Sequence, residues 1–330
     1  MKVFVAGATG AIGKRLVPLL VARGHEVVGM TRSSKNEGAL RDAGAEPVVA
    51  DGLDRAAVIQ AVMGAEPEVL VHELTSLAGA TNLRNFDREF ALTNRLRTEG
   101  TDHLVEAARR AGVRRLVAQS FGNWYYERSG GPVKTESDPI FPSPPATMRR
   151  SVAAIRHLEA AVLNAGLEGL ALRYAALYGS GTGLSDPDVL YLVRKRRMPV
   201  IGDGEGIFSF VHVDDAAIAT VAAVENGAPG VYNVADDDPA PVRVWLPALA
   251  QAVGAKPPRH VPVWLARLAA GEAVVLMFTR GRGASNAKAK REFGWRLRYP
   301  TWRQGFEHGL RAVPVDAAAA AEFLGHPAAA

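Results

Sequence analysis

Short apolar runs and longer amphipathic stretches alternate along the first half of the chain. Val3, Phe4 and Val5 form a run suited to a buried strand. Leu16, Val17, Leu19, Leu20 and Val21 then recur at the spacing of one helical face, which closes at Gly24. The couplet repeats. Residues 26–30 (EVVGM), 46–50 (EPVVA), 68–72 (EVLVH), 115–119 (RLVAQ) and 169–174 (GLALRY) read as strands. Residues 54–62, a long stretch around 86–112 and residues 148–163 read as helices between them. Ala153, Leu158 and Val162 form part of the apolar face of the last. Strands and helices in strict alternation predict an α/β fold with a parallel, doubly wound sheet.

Beyond residue 174 the pattern changes. Residues 202–206 (GDGEG) make a glycine-rich turn, and 239–254 and 262–271 read as helices of a smaller C-terminal lobe. Before that, Pro132, Pro139, Pro142, Pro144 and Pro145 mark 130–147 as a loop, since proline removes backbone donors and resists helix. The Ala-rich tail after residue 315 carries little information and is expected to fray. There is no internal repeat.

The turn between the first strand and the first helix carries candidate chemistry. Gly7, Gly10 and Gly13 follow the spacing G-x-x-G-x-x-G, with Thr9, Ala11 and Ile12 between them. Glycines there let the backbone approach a diphosphate closely, and the helix N-terminus offers unpaired N–H groups and a partial positive charge. A tight turn that merely packs a helix on a sheet is the bland alternative. The second strand ends at Thr31, Arg32 and Ser33, with Lys35 just beyond and no acidic residue to hold ribose hydroxyls. A guanidinium there suits the 2′-phosphate of NADP, with NAD as the alternative cofactor and a solvent-facing arginine as the bland reading. Asp51 and Gly52 follow the third strand. Leu74, Thr75 and Ser76 follow the fourth, at the carboxyl end of a central strand where ligands bind in such sheets. The expected division is a Rossmann-type domain over 1–174, with 208–235 returning to it. Residues 175–207 and 236–315 form a substrate lobe, and 316–330 the tail.

Composition narrows the partners. The 330 residues are 48% hydrophobic and 22% charged, ordinary for a globular enzyme. The net charge of +5 comes from scattered basic residues, so no nucleic-acid partner is implied. The densest basic run, 194–197 (RKRR), is expected to end a helix before Pro199. The absence of cysteine excludes disulfides, thiol catalysis and cysteine-ligated metal. No signal segment or membrane-length apolar stretch is visible, which predicts a cytoplasmic protein with no membrane partner; no metal site is expected.

Taken together these motifs resemble the extended short-chain dehydrogenase/reductase family, also called the NAD-dependent epimerase/dehydratase family, over most of the chain. The residues GATGAIG over 7–13 match its glycine motif, and Asp51 its adenine-contacting aspartate. Asn94 with Gly100 and Thr101 resembles its N-x-x-G-T region, shifted by an insertion. Leu172, Arg173 and Tyr174, through Tyr178 and Gly179, resemble the strand that reaches the nicotinamide. The segment 210–215 (FVHVDD), then Tyr232-Asn233-Val234 and Gly294-Trp295, match later landmarks. Family members often dimerise through two helices, so a homodimer is possible.

One departure changes what the resemblance implies. The family's chemistry rests on Tyr-x-x-x-Lys with a Ser or Thr from the loop after the fifth strand. The tyrosine exchanges a proton with the substrate, and the lysine lowers its pKa and holds the ribose. Here the motif's place reads Met148-Arg149-Arg150-Ser151-Val152, and the chain's Tyr-x-x-x-Lys, Tyr191 to Lys195, stands outside that place in the stretch read as the smaller lobe. Ser120 lies on the correct loop, but a shift of one residue puts Phe121 at the catalytic position. Tyr125, Tyr126 and Tyr178 are candidate substitute acids. Alternatively Trp124, Tyr125 and Tyr126 form an aromatic wall for an apolar substrate. The expected cofactor set is Gly7, Thr9, Gly10, Ala11, Ile12, Gly13, Thr31, Arg32, Ser33, Asp51, Gly52, Leu74, Thr75, Ser76, Asn94, Ser120 and Tyr174.

Other polar residues read as structural. His212 precedes Asp214 and Asp215, where either aspartate is expected to cap a helix. His72 is expected to pack near the site, and His157 to be structural. Arg149 and Arg150 face either an anion or solvent. The function expected is an atypical NADP(H)-binding oxidoreductase acting on a small organic or secondary-metabolite substrate. The alternatives are a non-catalytic NADP(H) sensor or scaffold and, more weakly, a sugar-nucleotide epimerase or dehydratase.

Overall fold

The computed structural model describes residues 1–77, 83–123, 125–311 and 317–324. Trp124, one member of the expected aromatic wall, lies outside them. Seven strands form one sheet: β1 (Lys2–Ala6), β2 (Glu26–Thr31), β3 (Glu46–Val49), β4 (Val69–His72), β5 (Arg115–Phe121), β6 (Glu168–Tyr174) and β7 (Gly230–Val234). All pairings are parallel and the order is β7-β6-β5-β4-β1-β2-β3. Strand order reverses between β1 and β4, which opens a crevice at their carboxyl ends.

Both faces of the sheet are covered, which is why its strands read as continuous apolar runs rather than alternating ones. Val3 and Val5 pack with Leu16 and Leu20 of helix α1 (Gly13–Ala22). Phe4 and Ala6 turn to the other face, against Val58 and Val62 of α2 (Arg55–Ala65) and Leu104 of α3 (Thr101–Arg110). Helix α4 (Arg149–Leu163) packs on β5 and β6, and α5 (Val213–Glu225) against α1. A third apolar cluster, centred on Phe208, Phe210, Trp245, Trp302 and Phe306, forms the core of the C-terminal lobe.

Several local expectations change. The stretch around 86–112 is not one helix. It runs Phe86–Glu89, Ala91–Arg95, a π-helical turn Leu96–Gly100 and then α3. Such a turn accommodates an extra residue without breaking the helix. The helix expected over 262–271 starts at Val263 and ends at Gly271 (φ 86°, ψ 171°), beyond which a second helix runs on to Arg280. The cap of α5 is His212, whose Nδ1 accepts from the Asp214 N–H, so neither aspartate caps it. Both are engaged elsewhere. In the tail, Ala320 and Leu324 are buried in the core cluster around α1 and α5.

Candidate active site

The glycine loop is shaped by contacts that leave no room for side chains. Gly7 holds φ +94°, and a Cβ there would lie 2.8 Å from the Glu73 carbonyl at the end of β4. A Cβ on Gly13 would lie 2.3 Å from Gly7 O and 2.7 Å from the Ala8 carbonyl. The Gly10 N–H donates to Gly7 O, closing the turn. Helix α1 then starts at Ile12 with no side-chain cap and no acidic residue in its first turn. The Lys14 and Arg15 N–H groups donate to Gly10 O and Ile12 O, which leaves the Gly13 N–H for an anion, with the helix dipole behind it. This cradle fits the diphosphate of a dinucleotide.

The remaining cofactor candidates rim the same crevice. Thr31 is buried, and its Oγ1 accepts from the Ser33 N–H and Asn36 Nδ2, which shapes the turn after β2. Arg32 and Lys35 point outward into solvent, and Ser33 Oγ accepts from the Lys35 N–H. Asp51 is exposed and accepts from the Leu53 N–H. Gly52 is buried, with Leu74 so close that a Cβ would lie 2.5 Å from it. Leu74, Thr75 and Ser76 are half-buried, and Thr93 Oγ1 clamps the Ser76 backbone from both sides. Tyr174 lies deeper, its hydroxyl donating to Glu73 Oε1 (3.0 Å) and lying 2.6 Å from Thr220 Oγ1. Asn94 is buried and donates through Nδ2 to Ser151 Oγ.

The other end of the crevice is apolar. Ser120 Oγ is buried and donates to Glu159 Oε1 (2.7 Å), a carboxylate also held by Arg173 through two bonds of 2.7 Å. Phe121 packs instead into the cluster that contains Met148, Val152, Ile155 and Tyr125. Its ring meets Tyr125 edge-on at 5.0 Å, and Phe86 meets the same tyrosine at 6.4 Å. Met148 and Val152 are each 1% exposed, so the place of Tyr-x-x-x-Lys is filled by core side chains.

The three candidate tyrosines are all buried. Tyr126 hydrogen-bonds to Asn233 Oδ1 and accepts from Arg173 (3.1 Å), and burial pushes its phenol up to about 12. Tyr178 is fully buried against Gly305 and His212, its hydroxyl unpartnered among the described residues, and burial raises its pKa strongly. Tyr125 is 3% exposed, and burial raises its phenol too, against the opposing charge of Arg97. None is tuned toward neutral pH.

The histidines hold backbone rather than chemistry. His72 Nδ1 accepts from the Leu74 N–H and its Nε2 faces Thr101 Oγ1, while burial lowers its pKa to about 4. His212 caps α5 and reaches Gly309 O, and burial takes it to about 4 as well. His157 pairs with Asp102 on the protein surface, and Arg149 and Arg150 are exposed.

Three features escaped sequence reasoning. Arg15, one turn into α1, bonds Asp214 Oδ1 (2.6 Å), Ala11 O and Ser180 O, tying the glycine loop to α5 and the lobe. Asp214 is shared with Arg298, and Asp215 accepts from the Arg298 and Tyr299 N–H groups. Glu73 is buried beside the glycine loop with Oε2 unpartnered among the described residues, and burial raises its carboxyl to about 8. Arg97 stands three residues before Gly100, the asparagine place of N-x-x-G-T, with Asn94 a turn earlier. Only this last had a sequence signal.

A profile of the NAD dependent epimerase/dehydratase family matches residues 3–235. The 3-diazoavenalumate denitrifying reductase of a Streptomyces species is 46% identical over 313 residues, covering 92% of this chain and 99% of that protein. The 2-alkyl-3-oxoalkanoate reductase of Stenotrophomonas maltophilia is 30% identical over 266 residues, 77% of this chain and 76% of its own. The human epimerase family protein SDR39U1, solved with NADPH, shares the fold at a TM-score of 0.71 and 21% identity, over 93% of this chain and 98% of that one. Among the described residues no helix is long and apolar enough to cross a membrane, and no cluster of His, Asp and Glu is arranged to hold a metal ion.

Proposed function

The chain belongs to the NAD-dependent epimerase/dehydratase family, and we propose that within it the protein is an NADP(H)-dependent reductase for a small aromatic diazo compound bearing a carboxylate. The observation that carries this reading is the apolar centre made by Phe121, Met148 and Val152, where a proton donor would otherwise stand. Reducing a ketone, or epimerising a sugar carbinol, requires a proton to move at the substrate oxygen. The tyrosines near this centre are buried, with phenol pKa values raised rather than lowered. A substrate whose reduction needs no protein acid fits better. When bound, the reduced nicotinamide supplies a hydride. An aryl diazonium that accepts it gains a C–H bond, while the C–N electron pair leaves with neutral dinitrogen. No proton enters the balance. The relative that is 46% identical is named for the reductive loss of nitrogen from a diazo compound, which supports the same choice.

The chain's own residues then bind, orient and exclude water. Gly7, Thr9, Gly10, Ala11, Ile12 and Gly13 hold the diphosphate, and Arg32, with Thr31, Ser33 and Lys35, takes the 2′-phosphate. Asp51 and Gly52 border the adenine, and Leu74, Thr75 and Ser76 line the groove onward. Phe121, Tyr125, Met148 and Val152 keep the reacting centre dry, which matters because aryl diazonium ions are lost to water. Ser120 and Tyr174 act through the packing of β5 and β6 rather than by touching substrate.

The test is to supply diazotised 4-aminobenzoate with NADPH carrying deuterium at the transferable position. The expected product is benzoate labelled on the ring, formed with dinitrogen and NADP+ in equal amounts. Binding of NADPH with no labelled arene above the uncatalysed rate would overturn the reading and favour a sensor. Turnover of UDP-glucose in its place would favour an epimerase.

A further inference from the structure

Four arginines are buried among the described residues: Arg15, Arg97, Arg115 and Arg173. Three are fully engaged. Arg15 bonds Asp214 and two carbonyls, and Arg173 forks onto Glu159 and reaches Tyr126. Arg115 reaches Glu168 and the carbonyls of Ala223, Asn226 and Gly227. Arg97 is different. It is 5% exposed, its Nε is inaccessible and lacks an acceptor, and it forms no ion pair among the described residues. Burial lowers its pKa, and what opposes that shift is the charge of Tyr125 and Glu159 at a distance, with no hydrogen bond. Glu159 is already spoken for, since Ser120 and Arg173 occupy its oxygens. An ion held this way is costly to the fold, because among the described residues no hydrogen-bonded counterion repays its lost hydration.

A second orphan lies one turn away. Asn94 Oδ1 is buried without a partner among the described residues. The amide cannot turn to relieve this. Ser151 Oγ donates its one proton to Asp87 Oδ1 (2.8 Å), so it must accept from Asn94 Nδ2 (3.0 Å). Asp87 is fixed in turn by the Arg150 and Ser151 N–H groups at the start of α4. Residues 94 and 97 share a helix face. Thr101 Oγ1 joins Arg97 O (2.9 Å) to His72 Nε2 (3.0 Å) at the end of β4, and the Leu96–Gly100 turn packs on α4, which sets Arg97 between β4 and α4 beside the candidate site.

We propose that Arg97 is the substrate-anchoring residue of this site, and that its missing counterion is an oxyanion of the aromatic substrate, a carboxylate or a phenolate. The identity of the anion as substrate rests on the reductase reading; the need of Arg97 for an anion does not. The diphosphate is assigned above to the glycine loop, which leaves Arg97 for the reacting molecule.

The experiment uses the full chain, with and without NADP+, and three probes: 4-hydroxycinnamate, its methyl ester and cinnamate. Binding is measured by calorimetry for the wild type, Arg97→Met and Arg97→Lys, and the unfolding midpoint of each is recorded. The wild type is expected to bind 4-hydroxycinnamate about tenfold to a hundredfold more tightly than one of the other probes, as befits a charged, buried hydrogen bond. Loss of affinity in the ester identifies the carboxylate as the partner; loss in cinnamate identifies the phenol oxygen. Arg97→Met should erase the difference, Arg97→Lys should restore part of it, and Arg97→Met should unfold at the same temperature as the wild type or higher. Equal binding of all probes by wild type and Arg97→Met, no binding by the wild type, or a marked fall in the midpoint of Arg97→Met would each overturn the proposal. Diazo reduction with Arg97-independent binding removes this inference and leaves the reductase reading standing. Arg97-dependent anion binding without any turnover does the reverse.

Discussion

The two ends of the crevice are built by different means. At the β1–α1 end the working parts are backbone: a positive-φ glycine, a second glycine pressed on Gly7 O, and the uncapped start of a helix. At the β5–α4 end the surface is made of side chains, and here Phe121, Met148 and Val152 pack into one apolar cluster. A backbone site survives as long as no Cβ intrudes, so drift in neighbouring side chains leaves it intact. A side-chain site can be rewritten by three substitutions while the strand and helix beneath it stay in place, because apolar residues pack there at least as well. The first end therefore reports ancestry and cofactor class. The second reports the reaction.

That contrast can be broken most decisively at Gly13. Gly13→Ala places a methyl 2.3 Å from Gly7 O, and NADPH affinity should fall on the order of 100-fold or more in a fluorescence titration. Near wild-type affinity would show that the loop is not a backbone site. Next in size is restoring the family's residues at the other end. Met148→Tyr with Val152→Lys buries a phenol and an ammonium in an apolar cluster, costing about 3 kcal/mol or more in denaturant unfolding, without gain of ketone reduction. Ketone reduction gained at unchanged stability would mean that the two ends are equally tolerant.

Smaller effects sharpen the contrast. Arg32→Ala should weaken NADPH by about 1.5–3 kcal/mol and leave NADH unaffected, read by parallel titrations, since only the 2′-phosphate needs the guanidinium. Equal losses for both cofactors would move Arg32 out of the phosphate site. The last effect belongs to Glu73, under the glycine loop. Its carboxyl keeps a proton in the folded protein until about pH 8, whereas the unfolded chain releases it near 4.5. Between those values the folded state holds the extra proton, so stability falls as pH rises. Glu73→Gln removes that fall. Its stability relative to the wild type should grow by about 1.4 kcal/mol from about pH 6 to pH 7, measured by denaturant unfolding at each pH. A pH-independent difference would place the charge elsewhere.

The sheet was legible because burial on both faces writes itself as runs such as VFV and EVLVH, and the glycine spacing marks a loop that needs glycine for its geometry. The helix cap at His212 was not legible. Asp214 and Asp215 are better caps by type, but Arg15, Arg298 and two backbone N–H groups from distant parts of the chain claim them first. Ser120 shows the same limit. Its position on the loop was clear, but its commitment to Glu159 depends on α4 lying across β5.

By itself the sequence determined the parallel α/β sheet, the dinucleotide cradle, the cation beyond β2 and the apolar residues at 148 and 152, because each depends on residues close together in the chain. Only the tertiary structure decided which polar groups are spent and which are left wanting. Arg97 and Arg173 are the same residue type and equally buried, yet one has a carboxylate across from it and the other does not. Whether a buried charge finds its counterion is settled by which helix is laid beside which strand, and no local pattern carries that information.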